Sequence, residues 1–168
     1  MKLLHIYHSM PNVISIFSFK VLWVYYNIPQ LFQLNIKCEL HTLIFKHSDM
    51  QWILVAAEET FAIPENLRFY VAAKNASDQH YLGHAMKFWN VIYNWADAGY
   101  ILSKGSLNKF IEKFDSDSAC DKGGQYWKNS DWYLAKHLSE MKIKPVDTRD
   151  HIGRSRFIGK YDLPYSRQ

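Results

Sequence analysis

Glu58 and Glu59 are adjacent carboxylates in a short acidic turn that follows a continuous apolar run, residues 52–55. Such a run is typical of a buried strand, and ligands of α/β sheets bind at the carboxyl ends of the strands. Carboxylate oxygens are the ligands that hard divalent cations prefer, and such a cation can bridge to a nucleotide diphosphate. The pair therefore predicts a metal site, and the alternative is an ordinary solvated turn.

The C-terminal segment, residues 141–168, carries the basic character of the chain. It holds seven lysines and arginines against three aspartates, and the net charge of the whole chain is +4. One interpretation is a site for a phosphate or diphosphate group, and the other is a solvated surface segment. The overall excess is mild and does not indicate a nucleic-acid partner. The basic residues are Lys142, Lys144, Arg149, Arg154, Arg156, Lys160 and Arg167.

The cysteines and the short metal-binding motifs give little information about the function of this chain. Cys38 and Cys120 allow at most one internal disulfide, and neither a CxxC nor an HExxH motif occurs. The chain contains one Asn-x-Ser sequon, at residues 75–77. That sequon predicts a glycan acceptor if the chain enters the secretory pathway.

The composition is that of one compact domain. The chain has 168 residues, of which 48% are hydrophobic and 21% are charged, and this balance excludes a disordered chain. The length is too short for two full-sized domains. Aromatic residues make up 16% of the chain, which implies a large buried core or extensive binding faces.

The N-terminal stretch, residues 1–36, is apolar and carries only Lys2 and Lys20 as charges. A membrane-spanning helix needs about 20 mainly apolar residues, whereas Lys20 interrupts this stretch and Pro29 ends its second apolar run. Two interpretations stay open. The stretch is either a weak signal anchor or a buried or aberrant piece that does not cross a membrane.

Strand and helix patterns alternate along the rest of the chain, which predicts an α/β layer without internal repeats. Residues 52–55 predict a buried strand, and residues 64–73 predict a helix with Pro64 at its first position. Residues 81–83 predict a short strand. Residues 97–102 predict a loop that leads into a further strand.

Two more helices are predicted downstream. Ser103 can cap the first of them, whose apolar residues recur at the spacing of one helical face. Residues 115–124 are polar and predict a loop, and Ser130 can cap a second helix that runs to about Met141. The apolar stripe of the first helix consists of Leu107, Phe110, Ile111 and Phe114. The predicted buried face of the second consists of Tyr133, Leu134, His137, Leu138 and Met141.

Four ordered segments resemble motifs of the core 1 β1,3-galactosyltransferases. Residues 52–71, WILVAAEETFAIPENLRFYV, are similar to a segment in which an acidic DDDT follows a strand and leads into ENLR. Residues 95–103, WADAGYILS, resemble the glycine-rich GGAGYVLS of that family. Residues 130–136 resemble an acidic ED pair with an LGRC-like end, and residues 146–154 resemble a DTRD and IG stretch.

Together these segments span about residues 51–158, whereas residues 1–50 match the family poorly. The resemblance implies a GT-A-like α/β domain over residues 51–168 whose first strand and helix, which help to hold the nucleotide, are truncated or divergent. Residues 1–50 are then a divergent N-terminal segment. One interpretation of this segment is a weak signal anchor. The chain is expected to be a divergent member of the family or a fragment of one.

The resemblance implies transfer of galactose from UDP-galactose to GalNAc on Ser or Thr of a glycoprotein, with inversion and usually with Mn²⁺. It also implies a lumenal domain at the Golgi membrane. An inverting transfer needs a base for the acceptor hydroxyl and a cation for the departing diphosphate. Asp131, which matches the acidic pair, is the candidate base, and its alternative role is helix capping.

Trp95, Asp97, Gly99 and Tyr100 are the candidates for lining the sugar pocket that the resemblance implies. Glycine permits a close approach of the backbone, and aromatic faces stack on sugar rings. The alternative for these residues is ordinary core packing, which suits Tyr100 best and Asp97 least.

The sequence departs from the family at both halves of the implied metal site. Ala57, Glu58 and Glu59 stand where the family has three aspartates, and Ile158 follows Phe157 where the family has a histidine. An isoleucine cannot coordinate a metal. Two hypotheses follow: a galactosyltransferase that holds Mn²⁺ with Glu58 and Glu59, or an inactive member that binds a glycoprotein or a partner transferase.

In the family that this chain resembles, the disulfide partner of Cys120 is expected near the LGRC-like end, where this chain has His137. The resemblance therefore predicts that Cys120 is a free thiol unless Cys38 reaches it. Such a bond requires Cα atoms within roughly 7 Å.

Overall fold

A computed structural model of the chain describes residues 21–26, 50–57, 60–114 and 130–159. Glu58 and Glu59 lie outside these ranges, as do Cys38 and Cys120, so the predictions that concern them are not addressed by the fold. The predicted loop over residues 115–124 also lies outside them.

The main sheet contains strands of both directions. Strand β1 (Val21–Tyr26) runs parallel to β2 (Trp52–Ala57), which forms the predicted buried strand. Strand β3 (Tyr81–Gly83) and strand β6 (Tyr100–Ser103) pair antiparallel with each other, and β6 also pairs antiparallel with β2. The order across the sheet is β1-β2-β6-β3. β1 lies in the second apolar run of the N-terminal stretch.

A separate hairpin joins β4 (Ala85–Phe88) to β5 (Val91–Asn94) and was not predicted. Tight hairpin turns usually carry glycine or asparagine at a loop position with positive φ. Here Trp89 adopts a φ of 47° at the first loop position. The loop pair is Trp89–Asn90, which lacks the glycine of the loop pairs by which a hairpin is normally recognised.

The described helices lie where they were predicted, although Ser130 is the first residue of its helix and not the residue that caps it. Helix α1 (Pro64–Ala72) has Pro64 at its N-terminus, where the missing N–H costs nothing. Helix α2 (Lys104–Lys113) is capped by Ser103, whose Oγ accepts a hydrogen bond from the Ser106 backbone N–H at 3.3 Å. Helix α3 is Ser130–Glu140. None of them is long and apolar enough for a membrane span, among the residues that the structure describes.

Strand β2 is apolar throughout because both faces of the sheet are covered. Ile53 and Val55 pack into a core that contains the buried residues of α2 and α3. Trp52 and Leu54 point to the opposite face, where the core includes Val71 of α1. Alternate residues of a strand face opposite sides, so a strand covered on both sides carries a continuous apolar run. This layering agrees with the predicted α/β class.

The buried face of α3 is wider than its sequence pattern predicts. Leu134, Leu138 and Met141 are buried as expected, but Trp132 and Ala135 are buried as well, and Tyr133 and His137 are only half-buried. The cause is the hairpin, since α3 packs against β5 and the Trp132 Nε1–H donates to the Phe88 carbonyl at 3.2 Å.

Candidate functional site

Several segments meet at the edge of the main sheet where β2 ends. Because β1 and β2 are parallel, both strands end at this edge. Because β6 is antiparallel to β2, it begins here with Tyr100, and its other neighbour β3 ends here with Gly83. We call this side of the sheet the carboxyl edge. It is the side on which α/β sheets bind their ligands.

A 3₁₀ helix, Ala96–Ala98, lies at the carboxyl edge and contains the predicted site residue Asp97. The Thr60 hydroxyl donates to the Asp97 backbone carbonyl at 3.0 Å. Thr60 is the first described residue after Glu58 and Glu59 in the chain. The end of the acidic turn and the predicted sugar-pocket segment are therefore held together.

Gly99 closes the 3₁₀ helix with backbone angles that favour glycine. Its φ is 74° and its ψ is 155°, and its N–H donates to the Ala96 carbonyl at 2.9 Å. A Cβ at this position would lie 3.4 Å from Thr60 Cγ2 and 3.5 Å from the Val55 carbonyl oxygen. These are ordinary van der Waals distances, so the positive φ, and not a lack of space, favours glycine at this position.

Replacing Gly99 with alanine is expected to lower the free energy of unfolding by about 1–3 kcal/mol, because this backbone conformation is strained for other residues. Urea denaturation monitored by tryptophan fluorescence measures the change. Gly153→Ala isolates the backbone contribution and is expected to lose a similar amount, since Gly153 has a φ of 84° with no atom within 4 Å of an added Cβ. Equal stability of the Gly99 variant and the unmodified chain would contradict this account.

Asp131 connects α3 to the 3₁₀ helix. It lies in the first turn of α3 and is 7% exposed. Its Oδ2 accepts a hydrogen bond from the Ala96 backbone N–H at 3.1 Å, and its Oδ1 accepts one from the Trp132 N–H at 2.8 Å. The predicted base and the predicted sugar-pocket segment are therefore in direct contact, although they are 35 residues apart in the chain.

The electrostatics of Asp131 follow from its burial. Desolvation raises the pKa of its carboxyl group, the hydrogen bonds from Ala96 and Trp132 lower it, and the neighbouring Asp97 carboxylate raises it; the net direction is upward. A raised pKa suits a proton-accepting group that works near neutral pH. The observed contacts are nevertheless those of a structural link, and the role of Asp131 as a base stays a prediction.

The other predicted pocket residues differ in their environment. Tyr100 is 1% exposed, and its ring packs edge-on against Tyr81 at a centroid distance of 5.6 Å. The core-packing alternative therefore describes the side chain of Tyr100. Trp95 and Asp97 are half-buried, so they are the pocket candidates with side chains that solvent reaches.

His84 is a member of the carboxyl edge that the sequence pattern did not identify. Its backbone carbonyl accepts the Trp95 N–H at 2.9 Å, and its Nδ1 lies 3.1 Å from the Phe157 carbonyl oxygen. Gly159 packs on the Trp95 ring so closely that a Cβ there would lie 2.5 Å from Trp95 Cε3. The sequence did contain one indication of this role, because His84 directly follows the predicted strand 81–83 and residues at the end of such a strand lie near the ligand-binding edge.

Ile158 stands beside these contacts, between Phe157 and Gly159, and is 55% exposed. The resemblance implies a metal-binding histidine at this position. The position itself thus belongs to the carboxyl edge, but its side chain offers no ligand atom.

Arg149 and Arg154, two of the seven basic residues of the C-terminal segment, are paired with aspartates of the same segment. The Arg149 guanidinium donates to Asp147, and Arg154 Nε donates to Asp150 Oδ2 at 2.7 Å. Hydrogen bonds from Arg149 lower the pKa of Asp147 to about 2. The Thr148 hydroxyl donates to the Gly83 carbonyl at 2.8 Å and holds this loop against β3. These pairs favour the solvated-surface interpretation for the two arginines.

Among the residues that the structure describes, no group of three or more His, Cys, Asp or Glu side chains is placed to hold a metal ion. A comparison of the sequence with models of known protein families finds no match.

Proposed function

We propose that this chain is a galactosyltransferase-type domain that binds UDP-galactose at the carboxyl edge and transfers galactose to O-linked GalNAc poorly or not at all. The observation that carries the proposal is the meeting of separate segments at that edge. Thr60 contacts Asp97, Asp131 contacts Ala96, and the segment around Phe157 contacts His84. The first two contacts join three of the four segments that resemble the galactosyltransferase motifs. The third brings the stretch after the fourth segment to His84, whose backbone carbonyl accepts the Trp95 N–H.

The sugar-binding part of the proposal rests on two half-buried side chains and a glycine. Gly159 packs on the Trp95 ring, so the part of that ring that solvent reaches can contact a sugar. The Asp97 carboxylate can accept hydrogen bonds from sugar hydroxyls. Gly99 provides the positive φ with which the chain passes from the 3₁₀ helix into β6. By the same resemblance, the proposed domain faces the Golgi lumen.

The described residues of the carboxyl edge do not fit a complete Mn²⁺ site. Ile158 has no ligand atom, and both oxygens of Asp131 accept backbone hydrogen bonds. Glu58 and Glu59 are the proposed ligands that remain, and the first family carboxylate is replaced by Ala57. A diphosphate that is not neutralised by a cation is a poor leaving group, which is why poor transfer is proposed.

A second candidate function is an inactive member that binds a glycoprotein or a partner transferase. The burial of Asp131 favours it, because a carboxylate that is 7% exposed has little access to an acceptor hydroxyl. The two candidates share the fold and differ in whether the carboxyl edge supports chemistry.

Binding of UDP separates the two candidates, because a member that only binds a glycoprotein or a partner transferase does not need the nucleotide. In isothermal titration calorimetry, UDP is expected to bind the unmodified chain, and Mn²⁺ is expected to change its affinity by less than tenfold. Trp95→Ala should weaken binding, whereas the exposed control Ile152→Ala should not. No heat of binding with or without Mn²⁺ would overturn the proposal.

The transfer assay addresses the metal site directly. UDP release is measured with UDP-galactose and a peptide that carries GalNAc on Ser or Thr. The unmodified chain is expected to give little or no Mn²⁺-dependent turnover, and the double variant Ala57→Asp with Ile158→His should exceed either single variant. Robust Mn²⁺-dependent activity in the unmodified chain would refute impaired transfer.

A further inference from the structure

We propose that Asn75 is an N-glycosylation site and that its glycan projects from the side of the sheet opposite the carboxyl edge. The proposal rests on the lumenal location that is part of the proposed function. Asn75 belongs to the sequon Asn75-Ala76-Ser77, in the turn that follows α1 and precedes β3. That turn lies beside the beginning of β2, because the backbones of His80 and Gln51 bond to Ser103 and Lys104.

The sequon is accessible in the folded chain. Asn75 and Ser77 are both exposed. The Ser77 backbone N–H donates to Asn75 Oδ1 at 3.0 Å, which turns the hydroxyl-bearing residue toward the acceptor amide. The Asn75 amide nitrogen makes one long contact, 3.5 Å to Asp78 Oδ1, which is also exposed. Modification at that nitrogen therefore disrupts no buried interaction.

The surroundings of Asn75 leave room for a first sugar. A polar cleft of about 450 Å³ lies between this turn and the beginning of α2. Its walls include Asn75, Ser77, Lys74 and Asn108, whose amide, hydroxyl and ammonium groups can bond to sugar hydroxyls. A polar cleft beside the acceptor amide suits a carbohydrate better than an apolar ligand.

Hydrogen bonds from Ser103 and from the first turn of α2 hold the backbone of the sequon turn in place. The Ala76 carbonyl accepts the Gly105 N–H at 2.9 Å, and the Asp78 carbonyl accepts the Ser103 hydroxyl at 2.6 Å. The turn thus presents Asn75 outward from a fixed backbone, on the side of the sheet away from Asp131 and Trp95. A glycan at this position leaves the carboxyl edge clear for a sugar nucleotide and an acceptor.

The modification is a balanced group transfer with a lipid diphosphate-linked oligosaccharide as co-reactant. The Asn75 Nδ2 forms a bond to the anomeric carbon of the first sugar, and the bond from that carbon to the phosphate oxygen breaks. The lipid diphosphate leaves with the bonding electron pair, and Nδ2 gives up one proton to a base of the transferring enzyme. No group is oxidised or reduced.

The test uses the full chain with a C-terminal tag, expressed in eukaryotic cells in two versions. One version keeps its own N-terminus, and the other carries an added cleavable secretion signal that forces entry into the lumen. The signal-bearing chain is expected to carry one glycan, seen as a gel shift that peptide N-glycosidase removes. The enzyme converts the modified residue to aspartate, which mass spectrometry of the peptide detects.

Matched variants assign the site. Asn75→Gln and Ser77→Ala should each abolish the shift, Ser77→Thr should keep it, and Asn108→Gln, in the same cleft but outside any sequon, should leave it unchanged. A secreted, signal-bearing chain without a glycan at Asn75 would overturn the proposal. A glycan on the signal-bearing chain but not on the chain with its own N-terminus supports the site and counts against the lumenal location in the proposed function.

Discussion

Replacing Asp131 with alanine is expected to lower the free energy of unfolding by about 3 kcal/mol. The substitution leaves the N–H groups of Ala96 and Trp132 without their acceptor, and an unsatisfied buried donor costs about 1–3 kcal/mol. Release of the buried carboxylate offsets part of that loss. Urea denaturation at neutral pH measures the difference. A change below about 0.5 kcal/mol, the size usual for surface substitutions, would contradict the structural role.

Asp131→Asn is the matched control, because its amide oxygen can still accept one of the two hydrogen bonds. We expect it to lose roughly half of the stability that Asp131→Ala loses, since one donor is left unsatisfied. If both variants keep the fold, the transfer assay in the Ala57→Asp with Ile158→His background, where turnover is expected, then reports on chemistry. A base is lost equally in both variants, whereas a structural link is lost only in part in the asparagine variant.

The raised pKa of Asp131 gives this prediction a pH dependence. The folded chain binds a proton at Asp131 at a higher pH than the unfolded chain, so burial of the ionised carboxylate costs stability at neutral pH. That cost disappears as the pH falls through the raised folded pKa toward the unfolded value of about 3.9. Asparagine does not titrate. The free energy of unfolding of the unmodified chain, compared with that of Asp131→Asn, is therefore expected to increase as the pH falls from neutral toward about 3.9.

Gly105→Ala is expected to lower the free energy of unfolding by about 3 kcal/mol. Gly105 lies in the first turn of α2, where an added Cβ would meet the backbone oxygens of Ser77 and Asp78, the latter at 2.6 Å. The Gly105 N–H donates to the Ala76 carbonyl at 2.9 Å, so the turn cannot withdraw without losing a hydrogen bond. Thermal and urea denaturation measure the loss.

The sign of the Gly105 effect is diagnostic. Alanine is a better helix former than glycine by about 1 kcal/mol, so without the backbone contact the variant would be more stable than the unmodified chain. Asn108→Ala, at an exposed position of the same helix, is the control and should change stability by about 0.5 kcal/mol or less. A stabilised Gly105→Ala variant would show that α2 and the sequon turn are not in contact.

Local patterns in the sequence predicted most of the described elements. The apolar run 52–55 requires a strand with both faces covered, and the apolar stripe after Ser103 requires one helical face against a core. Pro64 and Ser103 mark helix starts through backbone chemistry that involves only near neighbours. Such signals act over a few residues, so they can be recognised without knowledge of the rest of the chain.

The sequence by itself thus determined strands β2, β3 and β6, the three described helices and the Ser103 cap, and through its motifs the residues worth testing. Only the tertiary structure decided that Asp131 meets Ala96, that His84 lies beside Phe157, and that Tyr100 packs inside the core. It also decided the β4–β5 hairpin, whose turn lacks a glycine. The physical reason is that these features depend on contacts between residues far apart in the chain, which the order of strands in the sheet brings together and no local periodicity specifies.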